Sequence, residues 1–256
     1  MTSVLRAEWT KLCTVRSARW TQLAILGLTV GLTVLLTSGS ESIGDGGDND
    51  IMRDSLVGVY LAQFAVVAFG VLVITSEYAT RMIHTTFIAM PRRGRVLASK
   101  ALLVGGTVFL VGLASSLVAF LVGQHVLREN GYDPPGYPEW TLDDGPAQRA
   151  VIGSALFLAA IALLSLAVGA ILRHSAGAIS VLLALLFVPL IVAPTLPEHT
   201  RELVQKITPG AGFAVQQTVA RDDAIPIGPW MGLGVTAAWA AGALLVALPL
   251  IRRRDA

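Results

Sequence analysis

The chain has 256 residues, of which 54% are hydrophobic and 14% charged, where an average soluble domain carries about 25% charged residues. Its mean hydropathy of +0.67 leaves too little polar surface for an ordinary soluble domain and is far too apolar for intrinsic disorder. The single cysteine, Cys13, excludes a disulfide scaffold and a cysteine-built zinc site.

Residues 1–19 place Leu5, Trp9, Leu12 and Cys13 at helical spacing on one side, with Thr10, Lys11, Thr14 and Ser17 opposite. This pattern predicts an amphipathic helix lying in a membrane interface. A run free of Asp, Glu, Lys and Arg follows from Trp20 to Ser40, too long for the apolar core of a signal peptide. A retained first span over about 20–38 is therefore expected. Five acids, Glu41, Asp45, Asp48, Asp50 and Asp54, punctuate the next loop (39–54) without calcium-loop spacing, and a solvated acidic loop is the expectation.

The second charge-free run predicts a span over 55–76. Beyond it, in the segment 77–100, Tyr78, Met82, Ile83, Thr86, Phe87 and Met90 fall on one helical side, with Thr80, Arg81, His84 and Thr85 on the other. Pro91 ends that pattern, and Arg92, Arg93 and Arg95 surround Gly94. The expectation is a short helix in a loop, with polar groups that a second protein could grip. Further spans are expected over 101–123, 150–172, 175–195 and 230–251, because each charge-free run meets the roughly 20 residues needed to cross about 30 Å of hydrocarbon. Only Arg173 and His174 separate the fourth and fifth runs, which predicts a tight helical hairpin. The loop 124–149 is turn-rich around Asp133–Pro138, with Tyr137 and Trp140 as interface candidates. The loop 196–229 predicts a helix, a break at Thr208-Pro209-Gly210 and a second helix returning into the outer leaflet. Small-residue spacings, Gly27 with Gly31 and Gly234 with Ala238 and Gly242, mark candidate helix-packing sites.

The fold expectation is an all-α polytopic membrane protein of six spans in a single transmembrane domain. Orientation follows from charge. One side of the membrane receives 13 of 19 basic and 3 of 17 acidic residues, so the bland net +2 resolves into +10 there and −8 opposite. Both termini fall on the +10 side, which predicts that they are cytoplasmic.

No G-x-x-x-x-G-K-[ST] sequence is present, so ATP hydrolysis by this chain is not expected, and catalytic, metal and cofactor residues are predicted as none. The runs hold no charged residue, which argues against an intramembrane proton relay or metalloprotease. Ser115, Ser116, Ser154 and Ser165 have no nearby base and read as helix-bonding hydroxyls.

The order of these features resembles the permease subunits of type-2 ATP-binding-cassette (ABC) exporters of high-GC bacteria. The carrying residues are Glu8-Trp9-Thr10-Lys11-Leu12 with Thr14-Val15-Arg16-Ser17; Glu77-Tyr78, Thr85-Thr86 and Pro91-Arg92-Arg93-Gly94-Arg95; and Pro209–Gly212 before the last span. The chain departs from the pattern in having Arg81-Met82 where relatives carry Gly-Thr. The resemblance implies a partner ATPase subunit that binds ATP and Mg, a second permease chain, the bilayer of the bacterial cytoplasmic membrane, and no nucleic acid. It implies export of an apolar or amphipathic substrate. Glu77, Tyr78, Arg81, His84, Thr85, Phe87, Pro91, Arg92 and Arg93 become the ATPase-coupling candidates, and Leu5, Trp9 and Leu12 the interfacial-helix residues. An ion-coupled carrier or channel, and a non-transporting anchor or sensor subunit, are the alternatives.

Overall fold

In hydrocarbon a backbone has no water to bond to, so an apolar run satisfies its N–H and C=O groups internally as a helix. The computed structural model describes residues 6, 8–10, 12, 14, 16–39, 50–80, 93–132, 140–219 and 224–254. Among these the secondary structure is helical throughout, with no strand. The elements are α1 (Arg16–Ser38), the single turn α2 (Ile51–Asp54), α3 (Val59–Ala79), α4 (Arg93–Glu129), α5 (Gly145–Leu172), α6 (Ser175–Val192), α7 (Glu198–Ile207) and α8 (Pro229–Arg254). Two 3-10 segments, Ala193–Thr195 and Pro209–Gln216, flank α7.

Six helices (α1, α3, α4, α5, α6 and α8) are long and apolar enough to cross a bilayer. The protein is an all-α, multi-pass membrane protein. Its two ends are named here by charge: the basic face carries the N terminus and the end of α8, and the acidic face carries α2 and α7. Exposed Trp9 and Trp20 mark the basic end and exposed Trp230 the acidic end, where indole rings bridge headgroups and hydrocarbon. Helix α4 is longer than its charge-free run. Its 37 residues span about 55 Å at 1.5 Å per residue, well beyond the hydrocarbon thickness, so it projects past the bilayer.

Helix α5 is the centre of the bundle. Its most apolar stretch is 72% buried, and it packs on α3, α4, α8 and the second 3-10 segment. Phe157, Leu158, Ile161 and Leu164 are fully buried along it. Helix α1 lies outside, against α3 and α4. Helix α6 is held more lightly, burying only Ala178, Leu182 and Leu186. Arg173, in the left-handed conformation at φ 56°, ends α5, and His174 starts α6 by accepting the Gly177 N–H on Nδ1 at 3.0 Å.

The helices approach closest at glycines other than those marked in the sequence. A Cβ at Gly58 would collide with the Thr29 carbonyl of α1, and one at Gly70 with the Ala162 carbonyl of α5. By contrast Gly27, Gly31, Gly234 and Gly242 meet no atom within 4 Å, and Ala238 is exposed. All five lie on outward faces of the chain. The pattern of small residues reports close approach only when the stripe also faces a neighbour.

The segment after α6 runs back alongside α8 and then returns. Trp239 Nε1 donates to the Ile207 carbonyl at 2.8 Å, and Thr236 Oγ1 to the Pro209 carbonyl at 2.7 Å. Ile207 is thus level with a residue ten positions inside α8, about 15 Å below its start. The 3-10 segment then climbs back, and Arg149 at the start of α5 donates to the carbonyls of Val215 and Gln217 at 3.4 and 2.7 Å. Irregular backbone survives at membrane depth only when protein satisfies it, and Thr236, Trp239 and Arg149 do so here. Phe213 fixes the climb, stacked on Tyr60 at 3.7 Å and tilted against Phe157 at 4.3 Å.

Candidate functional site: a buried ion cluster and a cavity beneath the re-entrant turn

Two polar features stand out against the apolar bundle, one at each end. At the basic end, Lys100 lies two turns into α4 and is 3% exposed. Its Nζ donates to Glu8 Oε2 at 2.5 Å and to Glu77 Oε1 at 2.8 Å. Glu8 is on the N-terminal helical stretch and Glu77 in the last turn of α3, and both are buried. One ammonium thus joins three segments separated by 92 and 23 residues. Taking three charges out of water is costly, and only tight mutual pairing offsets it. The cluster also clamps together the two helix ends from which residues 80–92 emerge.

This geometry changes the meaning of Glu77. It is turned into the protein, where it accepts from Lys100. Tyr78 is half-buried with the Arg173 guanidinium 4.9 Å from its ring centre. Arg81, His84, Thr85, Phe87, Pro91 and Arg92 lie outside the described residues, and Arg93 is described only as the start of α4. In the N-terminal stretch Trp9 is half-exposed and Leu12 packs against the main core, while Leu5 lies outside the described residues.

Toward the acidic end, a cavity of about 70 Å³ lies between α3, α6 and the re-entrant turn. Tyr60, Leu186, Pro189, Leu190 and Phe213 give it an apolar wall. Gln63 also lines it; this residue is 2% exposed and its Oε1 has no hydrogen-bond partner among the described residues. A buried amide oxygen left unpaired costs about 1–3 kcal/mol, so the cavity offers an acceptor to whatever enters. As it stands the space holds little more than a water or two, given the roughly 30 Å³ share of a water in the liquid. The space is partly open, and Leu190 in its wall is 52% exposed.

Above it an open basin of about 930 Å³ faces the acidic side, bordered by α7 and by residues 217–219 and 224–229. Within its wall, a 2.7 Å hydrogen bond from Lys206, reinforced by that ammonium's charge, holds the Glu202 carboxyl below the usual carboxylate range. On the opposite side of α7, Leu203 and Ile207 are exposed, an apolar face suited to lipid.

One acid of the expected solvated loop behaves otherwise. Asp50 is 1% exposed, and that expectation is corrected for it. Its Oδ1 accepts from Thr218 Oγ1 at 2.6 Å and Arg53 N at 3.3 Å, and its Oδ2 from Thr218 N at 2.6 Å and Val219 N at 3.1 Å. Sequence reasoning missed Asp50, Glu8, Lys100 and Gln63 as structural or site residues. Three of the four intramembrane serines bond to helix carbonyls, Ser115 to Gly112, Ser154 to Ala150 and Ser165 to Ile161; for Ser116 that expectation is corrected, since its buried Oγ has no hydrogen-bond partner among the described residues. No group of three or more His, Cys, Asp or Glu able to hold a metal occurs among the described residues.

Neither a protein-family profile nor a curated protein matches the chain. Fold and site together define an all-α, multi-pass membrane protein with a small cavity lined by Gln63 toward one end and a buried ion cluster at the other.

Proposed function

We propose that this chain is the membrane-spanning permease subunit of an ABC exporter in a bacterial cytoplasmic membrane. It pairs with a second permease chain and with an ATPase subunit that binds ATP and Mg. The observation that carries this reading is the Glu8–Lys100–Glu77 cluster, because it makes one rigid body of the N-terminal stretch and both roots of the 80–92 segment. A push delivered to that segment at the basic face then moves α3, α4 and the N-terminal stretch together. A nucleotide that binds one of the inward- and outward-facing states better shifts the balance between them. The apolar walls around Gln63 suit an apolar or amphipathic cargo.

The test is purification of the chain from its native membrane. An ATPase with a phosphate loop should co-purify, and its activity should rise with transported substrate. Disrupting the cluster by Glu77→Ala should reduce that stimulation while leaving membrane insertion intact. Failure of any ATPase to co-purify would sink the proposal.

A further inference from the structure

Gln63 and Phe64 are neighbours on α3 with different surroundings. Phe64 is exposed and stacks on Phe187 of α6, ring centres 4.3 Å apart. Gln63 is buried beside it and lines the small cavity. Leu190 lies one turn from Phe187 on the same side of α6, and it both lines that cavity and is half exposed. The cavity therefore reaches the surface at the seam between α3 and α6, next to the Phe64–Phe187 pair. Between Leu186 and Ala193 no side chain of α6 is buried, and Pro189 has no N–H to donate to the preceding turn. This end of α6 is held loosely. Depth follows from the helix ends. The 21 residues of α3 match the roughly 30 Å of hydrocarbon, so its first residue marks the boundary on the acidic side. Gln63 is four residues into α3 and Pro189 three before the end of α6, about 6 and 5 Å along their helices. Both put the cavity just inside the apolar layer, where lipid tails join their heads.

We propose that Gln63 is the polar anchor of a lateral binding site for a membrane amphiphile whose head offers a neutral hydroxyl or amide N–H. The head enters from the bilayer between α3 and α6 and donates to Gln63 Oε1, which has no partner among the described residues. The hydrocarbon stays outside, against Phe64 and Phe187. Size and charge both select the head. About 70 Å³ is the room of roughly two waters and admits a group no larger than a hydroxyl with its first carbon or two. One amide oxygen in an apolar wall does not offset the desolvation of an ammonium, so the donor is neutral. The inference goes beyond export: an occupant bound here need not be transported, and the site stands on binding alone.

The test compares two probes that differ by one donor. The full chain is placed in phosphatidylcholine nanodiscs with a trace of diacylglycerol carrying a diazirine on the acyl chain close to the glycerol. The second probe is the O-methyl ether of the first, which accepts a hydrogen bond but cannot donate one. After illumination, crosslinks to residues 60–64 and 187–190 are counted by peptide mass spectrometry. The diacylglycerol should crosslink there about three- to tenfold more than its ether, the worth of one neutral hydrogen bond. Gln63→Met keeps the bulk but offers only a weak acceptor; it should bring the diacylglycerol down to the level of the ether. Its melting temperature should not fall, since a buried unpaired amide is removed. If Gln63→Met does not accumulate in the membrane, Gln63→Leu makes the same comparison. Equal crosslinking by both probes in the parent chain would overturn the proposal and leave water as the partner of the amide. A preference that persists without Gln63 would overturn it too, by assigning the difference to the bulk of the methyl group. Absence of a partner ATPase would defeat the transport reading without altering these ratios.

Discussion

Replacing Lys100 by methionine isolates the energetics of the ion cluster. The side chains of Lys100, Glu8 and Glu77 are 3%, 5% and 8% exposed, so little water reaches the carboxylates once the ammonium is gone. Removing one partner from a buried ionic group costs about 3–5 kcal/mol, since an uncompensated charge is left behind. A stability change of 1 kcal/mol shifts the midpoint of a 150–250-residue domain by about 2–4 °C. Lys100→Met should therefore lower the melting temperature by about 6–20 °C, read as loss of the monodisperse peak on size exclusion after heating in detergent. The triple variant Glu8→Leu, Glu77→Leu, Lys100→Met removes every charge and every polar group of the site and should recover most of that loss, because an apolar site has no desolvation penalty to offset. A single variant melting within about 1 °C of the parent, or a triple variant no better than the single, would refute this account of the cluster.

Further outcomes test other parts of the structure. Phe213→Ala should cost about 3–5 kcal/mol by removing the ring between Tyr60 and Phe157, measured in the same thermal assay. Gly58→Leu should prevent accumulation of folded protein, whereas Gly27→Leu should leave the melting temperature of the chain unchanged, since only the first collides with a neighbouring helix. Lys206→Met should raise the Glu202 pKa toward the ordinary carboxylate value, followed by NMR of the labelled carboxyl. Because the native pKa is depressed, any stability from that pair is present above the ordinary carboxylate pKa and lost as pH falls; both side chains are 41% exposed, so the effect on melting should be small. Reporter fusions at each terminus should both read cytoplasmic; opposite readings would overturn the charge-based orientation.

The spans were legible because lipid imposes one requirement, a long run without charge, and the sequence states it directly. The re-entrant turn was legible at Pro209-Gly210, where the helix must stop. What satisfies its carbonyls was not, since Thr236 and Trp239 lie on another span and look like ordinary helix residues. The ion cluster left a trace that could have been read. On a face with so few acids, Glu8 and Glu77 are the only ones outside the C-terminal tail, and both pair with Lys100. An isolated acid in a basic zone needs a local reason. Asp50 left no such trace: among five acids in one loop nothing marks which is buried, because its donors come from residues 168 and 169 positions away. Gln63 was hidden similarly, being uncharged and inside a run read only for its lack of charge.

The central place of α5 also bears on how the protein is made. Spans enter the membrane in the order of synthesis, and α5 is the fourth. Helices α1, α3 and α4 must wait in the bilayer before the surface that α3 and α4 pack against exists, and α6, α8 and the re-entrant turn arrive later. Until residue 172 has emerged, Gly70 has no Ala162 carbonyl to approach. Assembly is therefore gated by one mid-chain helix. A nascent chain stalled before α5 has α1, α3 and α4 joined only to one another, without the helix that most of the core packs on, and one stalled just after it already holds most of that core.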